Sequence, residues 1–533
     1  MQAVTYPYTD LRDYIDALDR LGLLTRVTEP VNKDTELVPL VRLQFRGLPE
    51  RDRRAFLFEQ ITDSRDRSFD ASVAIATYAA SPSVYAAALG GSLDDIGAIW
   101  QKAFEHPIPT TVHKDAPCKE VRMTSAEQID IVAGVDSFPH PISTPGFDNA
   151  PFMTASQWVT RDPETGDYNV GVYRGMIKGP RHVGLQMDTP SQHIAIHLAK
   201  ARRMAVPLEA AIVVGGVPAL GLAAVQKVPY GVNEYEIAGG LMGRSLDTVR
   251  AESVDIEVPA TAELVIEGKI DPNHMELEGP FGEASGYMGP RTVSPVLDVT
   301  AITHRTRPIV QAFISEYPPS ESTCMRKIGF QHVYRRFLRQ ACNINSVVDV
   351  TFYEAASCNM MFVIRLAKPS VGQAWQALNA AAGYEPSLGK IIIAVDDDID
   401  PENLESVVWA LSFRTQPRRD MRIIDNRLPR LDPSEPQDSR RPAATASAIL
   451  IDATRSRPYP PTSLPTKPYM DAALARWESL GLPSLTLAEP WYGYELGEWT
   501  AENRHEAAMA EVGRYLETGA ELRSRPLNPL DPE

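Results

Sequence analysis

The chain has 533 residues, 44% of them hydrophobic and 23% charged, with 44 prolines and a formal net charge of -16. That length exceeds what one hydrophobic core serves, so about three domains are expected. The composition excludes a disordered chain, and the negative charge argues against nucleic acid as the main partner.

In chain order, MQAVTYPYTDLRDYIDALDRLGLL carries acids throughout and lacks the basic-then-apolar pattern of a signal peptide. Thr9 or Asp10 caps a first helix whose Leu11, Tyr14, Ile15, Leu18 and Leu21 share one stripe. With the apolar runs RAFLFEQI and SVAIATYAA this gives an N-terminal α/β domain over 1–118. From 119 to 310 strands dominate (FMTASQWVT, YNVGVYRGMI, HVGLQM, EAAIVVGG, LDVTAITHR, PIVQAFI) and two helices interrupt them. This reads as a β-rich domain, a barrel or split sheet rather than a doubly wound fold. The longest apolar run, AAIVVGGVPALGLAAV, is too short to span a bilayer. A second α/β domain over 326–490 is built around KIIIAVDDD, and two proline-rich stretches flank the strand TASAILIDAT. Those stretches read as a cover over a site or as plain linkers. The segment 491–533 contains AENRHEAAMAEVGRYLETGAELRSR, a helix that docks on a neighbouring subunit or on its own domain. Cys118, Cys324, Cys342 and Cys358 form no CxxC pair and read as reduced thiols of a cytoplasmic protein.

The dinucleotide turn GxGxxG, the phosphate loop GxxxxGK[ST], HExxH and GxSxG are all absent. Four features carry chemistry instead. In TPSQHIAIHLAKARR, Thr189 is a natural N-cap with Pro190 at the first helical position and Gln192 at the third, which puts His193 in the first turn. In GVNEYEIAGGLMG, Asn233 caps and Glu234 falls in the first turn. Both side chains then lie at the positive end of a helix dipole, a setting for anionic ligands. YNVGVYRGMI is a strand with Arg174 in its middle. In ELEGPFGEASGYMG, Glu278 and Glu283 flank the turn-former Gly-Pro-Phe-Gly with Glu276 just before, and Phe281 and Tyr287 are large enough to seek burial.

Taken in order, YNVGVYR, the SQHI helix start, PYGVNEYEIAGGLMG, VPATAELVIEGKI and LEGPFGEASGYMG resemble the UbiD family of decarboxylases, which work with prenylated flavin mononucleotide (prFMN). Flanking stretches such as ATYAASPSVYAAALG and DDDIDPENLESVVWALSFRTQP extend the resemblance over nearly the whole chain. It implies a central split β-barrel that binds the flavin, flanked by α/β domains, in a homodimer or homohexamer. It implies that Asn169, His193 and Glu234 ligate Mn²⁺ (or Mg²⁺) bridging to the flavin phosphate, with Val172, Arg174, Gln192 and Lys390 also against the cofactor. An amide, an imidazole and a carboxylate suit such an ion. K⁺ accompanies the site in relatives near the segment before PYG. Here Lys227 stands close by, and its ammonium replaces or weakens that site.

The resemblance further implies that Arg174 binds the substrate carboxylate and pairs with Glu278, while Glu283 delivers a proton after CO₂ leaves. The reaction is then the reversible non-oxidative decarboxylation of an aromatic, heteroaromatic or polycyclic acid through a covalent prenylated-flavin adduct, the cofactor being supplied by a partner flavin prenyltransferase. Small Ala284 and Ser285 beside the acid suggest room for a ring system. Aryl-CoA and cinnamic-type acids stay open as substrates, with Arg326, Lys327, Arg440 and Arg441 available for CoA phosphates. Two other classes stay open as well: a hydrolase using Glu278 and Glu283 as paired carboxylates, and a non-catalytic flavin- or metal-binding protein.

Overall fold

The computed structural model describes residues 6–187, 189–428, 432–435, 446–455, 457–494 and 499–525. The chain separates into two compact units, one comprising Met1–Val333, Phe352–Met361 and Asn426–Ala446, the other Tyr334–Thr351, Phe362–Asp425 and Ser447–Glu533. The architecture is mixed α/β, as the sequence pattern implied.

In the first unit, Asp10 caps the helix Leu11–Arg20 by accepting the Asp13 N–H at 2.9 Å. Leu11, Tyr14, Ile15 and Leu18 are buried. Leu21, expected on the same stripe, lies past the last turn and is 60% exposed. A five-stranded sheet joins Leu24–Asn32, Ala55–Thr62, Ser68–Phe69 and Ser72–Ile75 with Ile309–Ala312. That last strand is the one read from PIVQAFI; it leaves the strand-rich middle of the chain and runs parallel to Ser72–Ile75.

The middle of the chain forms a nine-stranded sheet: β1 (Val121–Met123), β2 (Phe152–Met153), β3 (Gln157–Arg161), β4 (Tyr168–Val172), β5 (Gly175–Gly179), β6 (His182–Leu185), β7 (Leu208–Val214), β8 (Leu264–Glu278) and β9 (Thr292–His304). The spatial order is β2-β5-β6-β9-β8-β7-β3-β4, with β1 added to β9. Consecutive strands β4 and β5 are therefore six strand steps apart, about 29 Å in a flat sheet. Only Tyr173 and Arg174 separate them, and three Cα steps reach at most about 11 Å. The sheet must curl until its two ends nearly meet. The described pairings do not join β4 to β5, so this is a split barrel rather than a closed one.

Three helices punctuate the sheet where two were expected. Helix α1 (His193–Met204) follows β6, a short helix Pro218–Ala224 follows β7, and α2 (Glu234–Met242) comes next. The middle one begins with proline at a position that has no intrahelical N–H bond to lose, and all seven of its residues are buried.

In the second unit a five-stranded sheet runs Val347–Phe352, Met361–Leu366, Ile391–Asp396, Ala446–Ala453, Met421–Arg427. The strands read from KIIIAVDDD and TASAILIDAT pair in parallel at its centre. The C-terminal helix divides in two, Ala501–Glu511 and Tyr515–Ser524, because Gly513 takes a left-handed φ of +77° between them. Neither half buries a residue. Among the described residues no helix is long and apolar enough to cross a membrane.

Candidate active site

Arg174 does not sit mid-strand, as the pattern of YNVGVYRGMI suggested. It occupies the crossing between β4 and β5, where the curled sheet forces the chain from one end of the ladder to the other. The crossing is pinned by the Tyr173 carbonyl, which accepts the Ser156 hydroxyl at 2.8 Å and the Trp158 indole N–H at 3.0 Å. Gly175 then lets the chain close on the sheet, since a Cβ there would lie 3.0 Å from Val183 and 3.1 Å from Met153.

The turn between β8 and β9 brings the two glutamates to this arginine. Glu278 ends β8, Gly279 turns with φ +83°, and Phe281–Gly282 pairs back on Met288–Gly289. The Glu283 N–H closes the hairpin on the Tyr287 carbonyl at 2.8 Å. Arg174 donates Nε and Nη2 to the two Glu278 oxygens (3.1 and 2.9 Å) and Nη1 to Glu283 Oε1 (2.5 Å). The side chain of Glu278 is fully buried, whereas 18% of Glu283 stays exposed. Burial acts to lower the Arg174 pKa, but the bonds and charges of the two glutamates outweigh it and raise the pKa above its ordinary value. Phe281 lies under the guanidinium, 4.9 Å from ring centroid to Cζ, and packs on Phe152 at 4.6 Å. Gly289 gives Glu283 its room, because a Cβ there would come within 2.8 Å of Oε1.

Three neighbours behave otherwise than expected or were missed. Tyr287 is 65% exposed, not buried. Glu276 is a surface residue, paired with Lys178 (2.8 Å) and His274 (3.0 Å). Asn149, absent from the sequence reading, donates its amide to the Gly279 carbonyl at 2.9 Å and steadies the turn; no local pattern in GFDNAP distinguishes it from a loop residue.

A second cluster forms where β4, α1 and α2 converge. Helix α1 starts at His193 with Gln192 in the N-cap position. Thr189 is therefore not the cap; its N–H instead meets Gln192 Oε1 at 3.5 Å in a preceding turn, and its hydroxyl bonds Ser191. Asn233 caps α2 as expected, accepting the Tyr235 N–H at 3.0 Å. His193 Nδ1 stands 4.0 Å from Glu234 Oε1, and Glu234 Oε2 accepts the Val170 N–H at 2.8 Å. Asn169 is buried beside Val170, and its amide nitrogen has no partner.

These residues fit a divalent cation. Burial pushes the Glu234 carboxyl up to about 7 and lowers His193, so the pair lacks a positive charge and the imidazole stays neutral, the form that ligates. A separation of 4.0 Å lets one ion touch both, given ligand bonds of about 2.0–2.2 Å. Half a turn of the Asn169 amide would put its oxygen in place of the unpartnered nitrogen, a third donor beside one imidazole nitrogen and one carboxylate oxygen.

Of the remaining expected residues, Val172 is half-buried at the end of β4, and Gln192 sits against His193 in sequence. Lys390 belongs to the second unit, immediately before the strand Ile391–Asp396, with its carbonyl accepting the Ile449 N–H. Lys227 is exposed and Ala284 is buried. Lys327 lies 3.8 Å from Glu50, and Arg326 is partly buried. Arg440 and Arg441 lie outside the described residues, as does most of the first proline-rich stretch.

Residues 110–318 match the 3-octaprenyl-4-hydroxybenzoate carboxy-lyase Rift-related domain, and 331–453 match the C-terminal domain of the same family. The chain belongs to the UbiD family. It is a carboxy-lyase by that membership, with relatives that support the assignment. The phenolic acid decarboxylase of Sedimentibacter hydroxybenzoicus is 31% identical over 473 residues, covering 86% of this chain and 93% of its own length. An evolved dimeric form of HmfF, a UbiD-class enzyme of Pelotomaculum thermopropionicum, in complex with prFMN superposes with a TM-score of 0.71 at 31% identity, over 84% of this chain and 95% of its own. The closed form of the vanillic acid decarboxylase of S. hydroxybenzoicus gives 0.73 at 29% identity, over 88% of this chain and 99% of its own.

Proposed function

We propose that the protein catalyses the reversible, non-oxidative decarboxylation of an aromatic or polycyclic carboxylic acid, with prFMN held through a divalent ion on Asn169, His193 and Glu234. The observation that carries the reading is how Arg174 divides its donors. Two of them lock on Glu278, whose oxygens are both occupied and fully buried, while the third rests on the partly exposed Glu283.

That division suggests an exchange. Glu278 holds the guanidinium plane still, so an incoming carboxylate meets its opposite edge, where Glu283 rests on Nη1. A substrate carboxylate that takes Nη1 displaces Glu283 from its cation. Glu283, losing the charge that favours its ionised form, then binds a proton. The bound flavin supplies the electron sink that loss of CO₂ from an sp² carbon requires. The C–C bond to the carboxylate breaks, CO₂ departs, and Glu283 gives its proton to the carbon left behind. With the substrate carboxylate gone, Glu283 returns to Nη1. In the carboxylation direction the same groups act in reverse order.

Relatives named for vanillic acid and phenolic acid decarboxylation favour an aromatic acid, and the small side chain of Ala284 beside the acid is compatible with one. A paired-carboxylate hydrolase is disfavoured, because both Glu278 oxygens accept from Arg174 and its side chain is fully buried, which ties the carboxylate to the cation. We propose a homodimer or homohexamer as the working assembly, to be sized by light scattering.

The test is to produce the protein with and without a flavin prenyltransferase, supply Mn²⁺, and identify the released cofactor by mass and absorbance. Aromatic acids are then incubated with it in D₂O. Prenylated flavin bound by wild type and lost in His193→Ala and Glu234→Ala, with deuterium in the decarboxylated product, is the expected result. A protein that binds no flavin under either condition overturns the reading.

A further inference from the structure

The residues proposed to ligate the ion come from three segments that are distant in sequence. Asn169 lies in the β3–β4 hairpin, His193 at the start of α1, and Glu234 at the start of α2. A second cluster takes one residue from each of the same three segments: Asp162 from the hairpin, Lys200 from α1, and Tyr230 from the loop that leads into α2. Lys200 Nζ donates to Asp162 Oδ2 at 2.5 Å, and the Tyr230 hydroxyl donates to the same oxygen. The Asp162 side chain is fully buried, and its other oxygen accepts the N–H groups of Glu164 (2.8 Å) and Thr165 (3.4 Å), which fixes the hairpin turn. Lys200 also reaches Glu164 at 3.3 Å.

The Tyr230 ring turns this junction toward the ion site. It stands edge-on to the His193 imidazole, with centroids 5.2 Å apart and planes at 86°, and Lys200 Nζ lies 5.2 Å from its centre. The spacing of His193, His197 and Lys200 places all three along one side of α1. His197 is anchored separately, its Nδ1 on the Thr160 hydroxyl at 2.9 Å, and Thr160 is the β3 residue directly opposite Asn169. Thus each side of the junction leads to one of the three proposed ligands.

We propose that Asp162, Lys200 and Tyr230 form a clamp of positioning residues that sets the spacing of Asn169, His193 and Glu234 and so determines the affinity of the cation site. The inference rests on the reading of that site given above and deepens it. The clamp touches neither substrate nor reacting atoms. A Tyr230 without its hydroxyl leaves the loop before α2 untied from the hairpin, and the ligand spacing widens into an ensemble. Groups that orient metal ligands in this way typically contribute about 10- to 100-fold in metal affinity.

The test is calorimetric titration of Mn²⁺ into the full-length, flavin-free protein, read beside thermal unfolding. Tyr230→Phe and Lys200→Met are each expected to weaken Mn²⁺ binding by about tenfold or more. The double variant is expected to be little worse than the weaker-binding single one, because both changes open the same junction. Lys200→Arg, which keeps a donor and charge for Asp162, is expected to retain most of the affinity. Mn²⁺ affinity within twofold of wild type in both Tyr230→Phe and Lys200→Met overturns the clamp, even where the melting temperature falls, since that pattern belongs to a merely structural contact. Absence of Mn²⁺ binding in wild type, matched by His193→Ala, removes the site itself and the clamp with it.

Discussion

Glu283→Gln separates the two things Glu283 is proposed to do. In the resting site its Oε1 accepts Arg174 Nη1 at 2.5 Å, and a glutamine of the same shape keeps an acceptor there. What it loses is charge and proton. The glutamine still accepts from a charged guanidinium, so only the ion-pair part is lost, about 1 kcal/mol at most for a partly exposed pair, and the exchange for a substrate carboxylate becomes easier by about that much. That corresponds to about fivefold tighter binding of the acid. Removal of a general acid lowers kcat by about 10²- to 10⁴-fold. The expected signature is therefore opposed: stronger binding and much slower turnover. The assay is Kd for the aromatic acid by fluorescence quenching or calorimetry on the loaded protein, beside kcat from CO₂ release. Unchanged kcat would remove Glu283 as proton donor. Weaker acid binding in Glu283→Gln would refute the competition for Nη1, even with kcat abolished.

Three further outcomes are expected. Lys227→Ala should make turnover dependent on added K⁺ where wild type is not; K⁺-dependent wild-type activity that Lys227→Ala leaves unaltered contradicts the replacement of the monovalent ion. Glu263 is fully buried and receives Arg12 through two bonds of 2.8 Å, Arg305 at 3.3 Å and the Ile309 N–H at 3.0 Å. Glu263→Ala should destabilise the first unit by about 3 kcal/mol, the low end of the range for a broken buried pair because Arg12 keeps access to water; a loss under about 0.5 kcal/mol in urea unfolding, the scale of an ordinary surface change, would show that the network is slack. Burial pushes Glu321 up to about 8 although the Tyr78 N–H bonds it at 2.8 Å. A raised carboxyl pKa means the folded state holds a proton the unfolded state has released, so stability is fullest below the unfolded value and declines as pH rises toward 8. Glu321→Gln should flatten that decline between about pH 5 and 8, and an identical slope in both proteins would place the titration elsewhere.

The sequence disclosed the start of α2 and the acid turn because these are local. Asn233 caps α2 and Gly279 turns the chain through short-range chemistry that the residues themselves carry. It misled where tertiary structure overrides local preference. YNVGVYRGMI has strand composition throughout, yet the ladder breaks at Tyr173 and Arg174 because the curled sheet must pass its own ends there. Thr189 has the better capping side chain, but the helix begins after Gln192, leaving His193 as its first residue. The stripe ending at Leu21 overran its helix by one position, since periodicity marks a face and not a terminus. Asp162, Lys200 and Tyr230 gave no local signal at all, their nearest separation being 30 residues or more along the chain.

The break in that strand is also what couples the two clusters. Asn169 and Arg174 are five residues apart, one inside β4 and the other just beyond its end. Extended chain of that length spans about 17 Å at most, so one short segment fixes how far the proposed ion site can lie from the glutamate pair. Asn169 is held in register opposite Thr160 by the β3–β4 ladder, and Arg174 is held by the Tyr173 carbonyl on Ser156 and Trp158 of the loop before β3 and of β3 itself. Both anchors therefore belong to the same hairpin. A cofactor that must bind an ion at one end and face an arginine–glutamate pair at the other needs such a ruler more than it needs either cluster to be rigid alone. The crossing that the split imposes sets Arg174 between the two ends of the sheet, and from there its guanidinium meets Glu278 and Glu283.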